Sequence, residues 1–396
     1  MKKIMQLGAN YFQSTVIKAA KELGHHVITV DYSPDNPGHK FSDEYHNVST
    51  IDTEGVLALA QKLKIDGIIS YASDVSAPTA AFVAEKMGLP TNPLEAVTLM
   101  TRKDSTRRFL KEHGFNVPIN NSFSQINNAI DFFISLSKPM MVKPVDSNGS
   151  KGVTKVENES EFKAAFEKAM SFSRQKRIIV EEFISRKGYQ VAGDSFLSDG
   201  KIVYSGFMNE HFDKLCNPLV PIGESFPSIL SDELKQKATN EIQRFMQLLG
   251  MRFGPINMDF IIDEKDNVYI IEIGPRSGGN WITDAIAEAT GVNLAQYLVQ
   301  ASLGENTYIP EEKNNGFVAS YIIHSLRSGT LQGIEYSMQI KDDIISNVEF
   351  SKSGDFVEQF NNAALGIGVM LFRSSSIEEM CYRLDNMERF IQVKTI

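Results

Sequence analysis

Over the first ninety residues, short apolar runs alternate with helical patterns: KIMQLG, STVIKAAKELG, HVITVD, TEGVLALAQKLK, DGIISYASD and SAPTAAFVAEKMG. Brief apolar runs bounded by Gly or Asp read as buried strands. Apolar residues recurring every three or four positions read as helices packed on them. The alternation predicts a parallel sheet with helices on its faces. Ligands of such sheets lie beyond the carboxyl ends of the strands, which places interest on the loops at Gly8 to Tyr11, at Asp31 and at Ser73 and Asp74. Asp31 ends the second strand at the distance from the first turn expected of a dinucleotide site, but that turn reads GANYFQ and lacks the glycines that let backbone approach a pyrophosphate. A nicotinamide oxidoreductase is therefore disfavoured, and Asp31 reads either as a solvated carboxylate or as a substrate contact.

The prolines of GLPTNPLEAV and GFNVPINN bracket a helix, EAVTLMTRKDSTRRFLKEHG, with basic residues Arg102, Lys103, Arg107, Arg108 and Lys111, which by default lie in solvent. A mixed section follows to about residue 190. A strand-rich section then runs to the helix GVNLAQYLVQASLG, and the last ninety residues read as a small cap of strands and helices. No repeat or low-complexity tract interrupts this order.

Composition narrows the function. A formal charge of −9 gives none of the clustered basic surface that nucleic acid requires, so a small-molecule partner is expected. Two cysteines, Cys216 and Cys381, make neither a disulfide framework nor a zinc motif and fit a reducing, cytoplasmic setting. The N-terminal apolar run is broken by Gln6 and Gly8 before it reaches signal-peptide length, and no stretch is long enough for a membrane span.

Three stretches carry chemistry. In PMMVKPVDSNGSKGV a strand delivers Lys143 into a loop with Ser147, Gly149, Ser150 and Gly152. The lysine precedes the glycines, so this is not a P-loop; it reads as a cover for phosphates or as a glycine-rich turn. In RIIVEEFISRKGYQVAGDSF a strand runs into Glu181, Glu182, Phe183 and Ile184. In GPINMDFIIDEKDNVYIIEIGPR two strand patterns flank DEKDN and predict a β-hairpin. A two-residue turn at Lys265 and Asp266 would set Asp259 opposite Glu272 and Asn257 opposite Gly274. It would also gather Met258, Phe260, Ile262, Tyr269, Ile271 and Ile273 on one apolar face. Two carboxylates facing each other across a ladder need a cation, either Arg276 alone or a divalent metal with substrate phosphates completing its shell.

Taken in order, the α/β segment, Lys103 in TRKD, Lys143 in MVKP with SNGSKG, VEEFI, and Asp259 and Glu272 followed by Arg276 resemble the ATP-grasp superfamily. The likeness is to the branch that holds biotin carboxylase, the carboxylases and ligases of purine synthesis and the L-amino-acid ligases. It implies an α/β (α+β) fold: a Rossmann-like domain over 1–95, a two-subdomain ATP-grasp domain over 96–305 with a lid at about 118–185, and a small C-terminal domain over 306–396. It further implies that Lys103 and Lys143 contact phosphates, with SNGSKG as the flexible lid. Glu181 would meet the adenine amino group, the backbone at Glu182 and Ile184 the ring edge. Asp259 and Glu272 would hold Mg²⁺, or Mn²⁺ in its place, and Arg276 would face the reacting oxygens.

Two departures stand out. Gly274 replaces the Asn of E-x-N-x-R, which puts a second metal ion in doubt, and KGYQ offers Gln190 where many members carry a ribose-binding Glu. The activity implied is ATP-dependent joining of a carboxylate to an amine through an acyl phosphate, in a homodimer, with neither nucleic acid nor membrane as partner. Substrate contacts are expected from Ser73, Asp74, His211, Glu224, Asn280 and Trp281, with His211 and Glu224 otherwise ordinary loop residues. A bicarbonate-dependent carboxylase and a nucleotide-binding protein without turnover are the alternatives.

Overall fold

Strand Lys3–Leu7 lies at the inside of a four-stranded parallel sheet, ordered Glu44–His46, His26–Val30, Lys3–Leu7, Gly67–Ile69. The computed structural model describes residues 1–396. Helices Ser14–Glu22 and Leu294–Ser302 pack together against this sheet, and one apolar cluster runs from Ile4 and Ile17 through Ile286 and Val299 to Phe196 and Met208 of the central sheet. That shared core fixes the loop after Ile69, with Asp74, relative to the rest of the chain.

The central sheet has eight strands, ordered Val268–Gly274, Gly254–Ile262, Gln190–Ser198, Lys201–Phe212, Pro221–Phe226, Phe317–Ile323, Gly368–Ser374, Ile344–Glu349. Its last three strands come from the segment 306–396, which therefore extends the central sheet. Only Gly329–Tyr336, Phe356–Val357 and Ile391–Thr395 form a small sheet apart from it. A separate antiparallel sheet, ordered Asn120–Phe123, Ile178–Glu182, Met140–Pro144, Thr154–Val156, is backed by its own core of Phe133, Phe162 and Ala165 from helices Ile126–Ile134 and Glu159–Phe172.

The hairpin corrects the expected turn. Three residues, Glu264, Lys265 and Asp266, form the loop: the Asp263 N–H donates to Asn267 O, the Asp263 carbonyl accepts from Asp266 N–H, and its side chain accepts from the N–H groups of Lys265 and Asn267. Asp266 takes the left-handed conformation, φ 60°, that such a loop demands. Next to the loop the register is one residue away from expectation, with Phe260 opposite Ile270. A bulge at Ile271 then restores it, and Asp259 pairs with Glu272 and Asn257 with Gly274. The core face of the second strand is consequently Val268, Ile270 and Ile273. Tyr269 and Ile271, expected there, are only half-buried and lie outside it. Without the bulge the acids would point to opposite faces.

Candidate active site

The bulge is held from behind by a buried arginine. Arg107 donates from Nη1 to Ile270 O at 3.1 Å and from Nη2 to Ile271 O at 2.8 Å, and its Nε reaches Glu181 Oε2 at 3.0 Å. It is 1% exposed, so the default of a solvated basic helix fails for this residue, while Arg108 lies in solvent. Lys103 and Arg107 are four apart on helix Lys103–Glu112 and share one face, the spacing that could have marked them as a pair.

Glu181 is ion-paired to both Arg107 and Lys143. Burial alone would raise its pKa, but the two cations overcome that and hold it at about 2. Lys143 and Glu181 sit on adjacent strands of the small sheet. At the strand end the Glu182 N–H is spent on Ile119 O and the Phe183 N–H on Pro139 O, whereas the Ile184 N–H has no partner within the protein. Lys155 lies over the Phe183 ring.

Lys103 links the two sheets. Its ammonium lies 3.2 Å from Glu272 Oε2 and donates to Ser147 O at 2.7 Å. The glycine loop is docked at three further points: Asn148 Nδ2 donates to Asp74 Oδ2 at 2.5 Å, Ser150 Oγ to Leu219 O at 2.8 Å, and Ala363 N to Gly149 O at 3.1 Å. Gly149 and Gly152 both have φ near +70°, and a Cβ on Gly152 would stand 3.0 Å from the Phe172 ring, so glycine suits this turn. Between these elements a cleft of about 240 Å³ is lined by Lys103, Arg107, Ser147, Asn148, Asp74 and Glu272, among others.

Arg276 stands at the other end of the carboxylate pair. Asp74 grips it at 2.8 Å (Nε) and 2.6 Å (Nη2), and Nη1 donates to Asn257 Oδ1 at 2.7 Å. Burial opposes ionisation of Asp74, yet Arg276 keeps its pKa below the usual carboxylate value. Gly274 makes room for this: a Cβ there would lie 2.7 Å from Asp74 Oδ1 and 3.2 Å from Arg276 Cζ. The place an Asn would fill is taken by an ion pair, and Asn257, expected to face a gap, is spent on Arg276 and Asp194.

The Asp259 carboxylate has neither hydrogen bond nor ion pair, and burial, followed by the charge of Glu272, pushes its pKa up to about 8. On the same sheet face Glu210 and Glu224 are direct partners across two strands, 5% and 2% exposed. Burial and then Asp259 raise Glu210 well above the carboxylate range, and burial brings Glu224 to about 7. Gln190 donates to Glu210 and Ser320 to Glu224. Glu210 was not singled out in the sequence; its pairing with Glu224 depends on strand order. His211, its neighbour, turns to the other face. There it bonds Asp385 at 2.9 Å and Ser225 at 3.0 Å, so it does not reach the cleft. Ser73 contributes only its carbonyl, which accepts from the hydroxyls of Ser70 and Ser76. Asn280 and Trp281, both left-handed and half-buried, form the turn into helix Ile282–Thr290. Asp31 is used up locally by Ala9 N, Ser33 N and Asn36, and Gln13 fills the turn over Gly8. The dinucleotide reading has no space there.

An unpaired carboxylate with raised pKa beside a second one that leans on a lysine is a donor set that suits a divalent cation. Asp259 and Glu272 fit Mg²⁺ in donor type and charge. No three His, Cys, Asp or Glu side chains gather as a complete cage; an ion on the two carboxylates would take most of its oxygens from phosphate and water.

A small antiparallel sheet bearing Lys143 closed over a large one bearing paired carboxylates defines the class of proteins that clasp a nucleotide between two sheets. Residues 100–280 match the family model described as ATP-grasp domain, so the chain carries an ATP-grasp domain over that span. The carbamoyl phosphate synthase large chain of Vibrio cholerae is 25% identical over 297 residues, 72% of this chain and 26% of that one. The chain thus spans about a quarter of the length of that relative. The L-amino acid ligase from Bacillus licheniformis superposes with a TM-score of 0.83 at 20% identity over 100% of this chain and 99% of that one. The biotin carboxylase domain of the Hydrogenobacter thermophilus 2-oxoglutarate carboxylase, solved with MgADP, ADP and bicarbonate, gives 0.76 at 17% over 100% and 91%. These two likenesses establish the fold. No helix is long and apolar enough to cross a membrane.

Proposed function

We propose that the chain is an ATP-dependent ligase that joins a small carboxylate to an amine through an acyl phosphate. The observation that carries this reading is the cross-strand pair Asp259 and Glu272, flanked by Lys103 on one side and Arg276 on the other. Lys103 and Lys143 would neutralise phosphate oxygens, the Gly149 loop would cover them, and the free Ile184 N–H would meet the base. Mg²⁺ on Asp259 and Glu272 would supply Lewis-acid charge neutralisation at the phosphates, with Mn²⁺ as a substitute.

The substrate carboxylate attacks the γ-phosphorus and ADP leaves. The amine then attacks the acyl carbon, loses a proton, and phosphate departs with its bonding electrons. Arg276, held by Asp74 and Asn257, would steady the developing negative oxygen, a role whose loss typically costs about 10² to 10³ in rate.

Glu210 and Glu224 favour this over a bicarbonate-dependent carboxylase: burial holds both acids largely protonated on the same sheet face as Asp259, and an incoming ammonium would supply the positive charge that lets them ionise. The test is coupled ADP release across pairs of amino acids, other carboxylates and amines. ADP formed only when both are present supports the ligase; ADP formed with bicarbonate and no amine supports the carboxylase. The two unpaired cysteines suit a reducing compartment such as the cytoplasm, and a homodimer is proposed for solution, to be checked by sedimentation.

A further inference from the structure

Behind the sheet face that carries Glu210 and Glu224 lies a second cavity, of about 640 Å³, lined by none of the nucleotide-site residues. It is enclosed by strands Pro221–Phe226 and Phe317–Ile323 on one side and by Ile391–Thr395 on the other, with Ile222, Leu384, Met387 and Ile391 among its apolar lining. Its volume is that of a small-molecule site.

The charged groups around it are already engaged. Asp213 accepts the N–H groups of Leu215, Cys216 and Asn217 at 2.9, 2.6 and 2.8 Å. Asp385 is taken by His211 and Tyr189, and Arg327 donates to Thr395 through Nε and Nη2. Two buried side chains are different. Tyr321, 5% exposed, makes no hydrogen bond through its hydroxyl. His324, 6% exposed and stacked on Phe360, uses only Nδ1, at 2.8 Å from Ile322 O. A carbonyl can only accept, so Nδ1 carries the proton. Burial disfavours a second proton, which leaves Nε2 an acceptor. Both residues line the cavity, and neither polar atom is sealed away from it. One wall therefore offers one donor and one acceptor within an apolar surround, and leaving such groups unmatched is costly.

We infer that this cavity binds a small neutral molecule with an apolar body and an amide end, whose carbonyl accepts from the Tyr321 hydroxyl and whose N–H donates to His324 Nε2. A carboxylate would satisfy the tyrosine but face the imidazole lone pair, and an ammonium would leave the tyrosine proton without an acceptor.

The test is calorimetric titration of the full chain with N-acetyl-L-phenylalaninamide, with N-acetyl-L-phenylalanine as the acceptor-only counterpart, and a crystal soak with the amide. Saturable binding of the amide is expected, with density between Tyr321 and His324 and roughly tenfold weaker binding of the acid. Tyr321→Phe and His324→Phe should each weaken the amide about fivefold, the worth of one hydrogen bond. Each variant is first shown to melt as the wild type does, and either one that folds suffices. Absence of saturable amide binding, equal binding of the two probes, unchanged amide affinity in a folded variant, or density elsewhere would each overturn the assignment.

Discussion

Asp74 and Arg276, 202 residues apart in sequence, meet through two hydrogen bonds of 2.8 and 2.6 Å in the space a side chain at Gly274 would enter. The pair joins the N-terminal sheet to the end of the carboxylate-bearing hairpin, and Asn148 ties the glycine loop to the same carboxylate. Both side chains are nearly 90% buried, so each needs the other.

Restoring the family's asparagine should therefore harm this chain. Gly274→Asn would drive its side chain into Asp74 and the guanidinium, and turnover should fall by about 10²-fold because Arg276 is displaced. ADP release by the purified variant measures this. Turnover equal to or above wild type would mean that the glycine is not there to accommodate the pair.

Removing the carboxylate alone strands a buried cation. Asp74→Ala should lose about 3 to 5 kcal/mol of stability in urea unfolding, and Asp74→Ala with Arg276→Leu should recover most of it. Equal losses in the single and double variants would contradict the coupling.

Asp259 sets a pH dependence. Its folded pKa of about 8 lies above its ordinary value of 3.8, so the folded protein keeps a proton that the unfolded chain releases. Stability from this group is complete below the ordinary value and is lost as the pH rises through about 8. Asp259→Asn should melt about 2 to 4 °C higher than wild type at pH 8 in metal-free buffer. The gap should narrow toward pH 4, and also when MgATP binds the wild type. A variant that melts lower at pH 8 would argue that Asp259 is already compensated.

Glu181 acts in the opposite sense. Its folded pKa of about 2, below the ordinary 4.5, gives stability that is present above 4.5 and lost as the pH falls through about 2. Arg107→Leu removes one of its two cations and the support of the Ile271 bulge. A loss of about 3 to 5 kcal/mol is expected at pH 7, together with a flatter acid limb in a pH series of melts. An unchanged acid limb would separate Arg107 from Glu181.

Much of this site was legible in the sequence because its groups come from continuous stretches: Lys103 at a helix start, Lys143 and Glu181 on strands, Asp259 and Glu272 in one hairpin. Even there the expected pairing of the acids rested on a two-residue turn, whereas the chain reaches it through a three-residue loop offset by a bulge. Two deviations of one residue cancel at the acids and not at Tyr269 and Ile271. What stayed hidden depends on contacts between distant segments. Arg107 reads as a surface cation until two strand carbonyls and Glu181 surround it. Glu210 becomes notable only when its strand lies beside that of Glu224, and the choice between Glu210 and His211 follows from which face a helix covers. The C-terminal strands were recognisable, but their joining the central sheet is a matter of long-range pairing, on which local pattern is silent.

The most direct measurement compares MgATP-dependent ADP release by wild type, Asp259→Asn and Glu272→Gln, using a carboxylate and amine pair that the wild type turns over. Both variants should keep a folded melting curve and lose turnover by about 10² or more, as removal of charge stabilisation at transferring phosphates requires. Near-normal turnover in either folded variant would contradict the assignment of this carboxylate pair to the metal and, with it, the proposed ligase site.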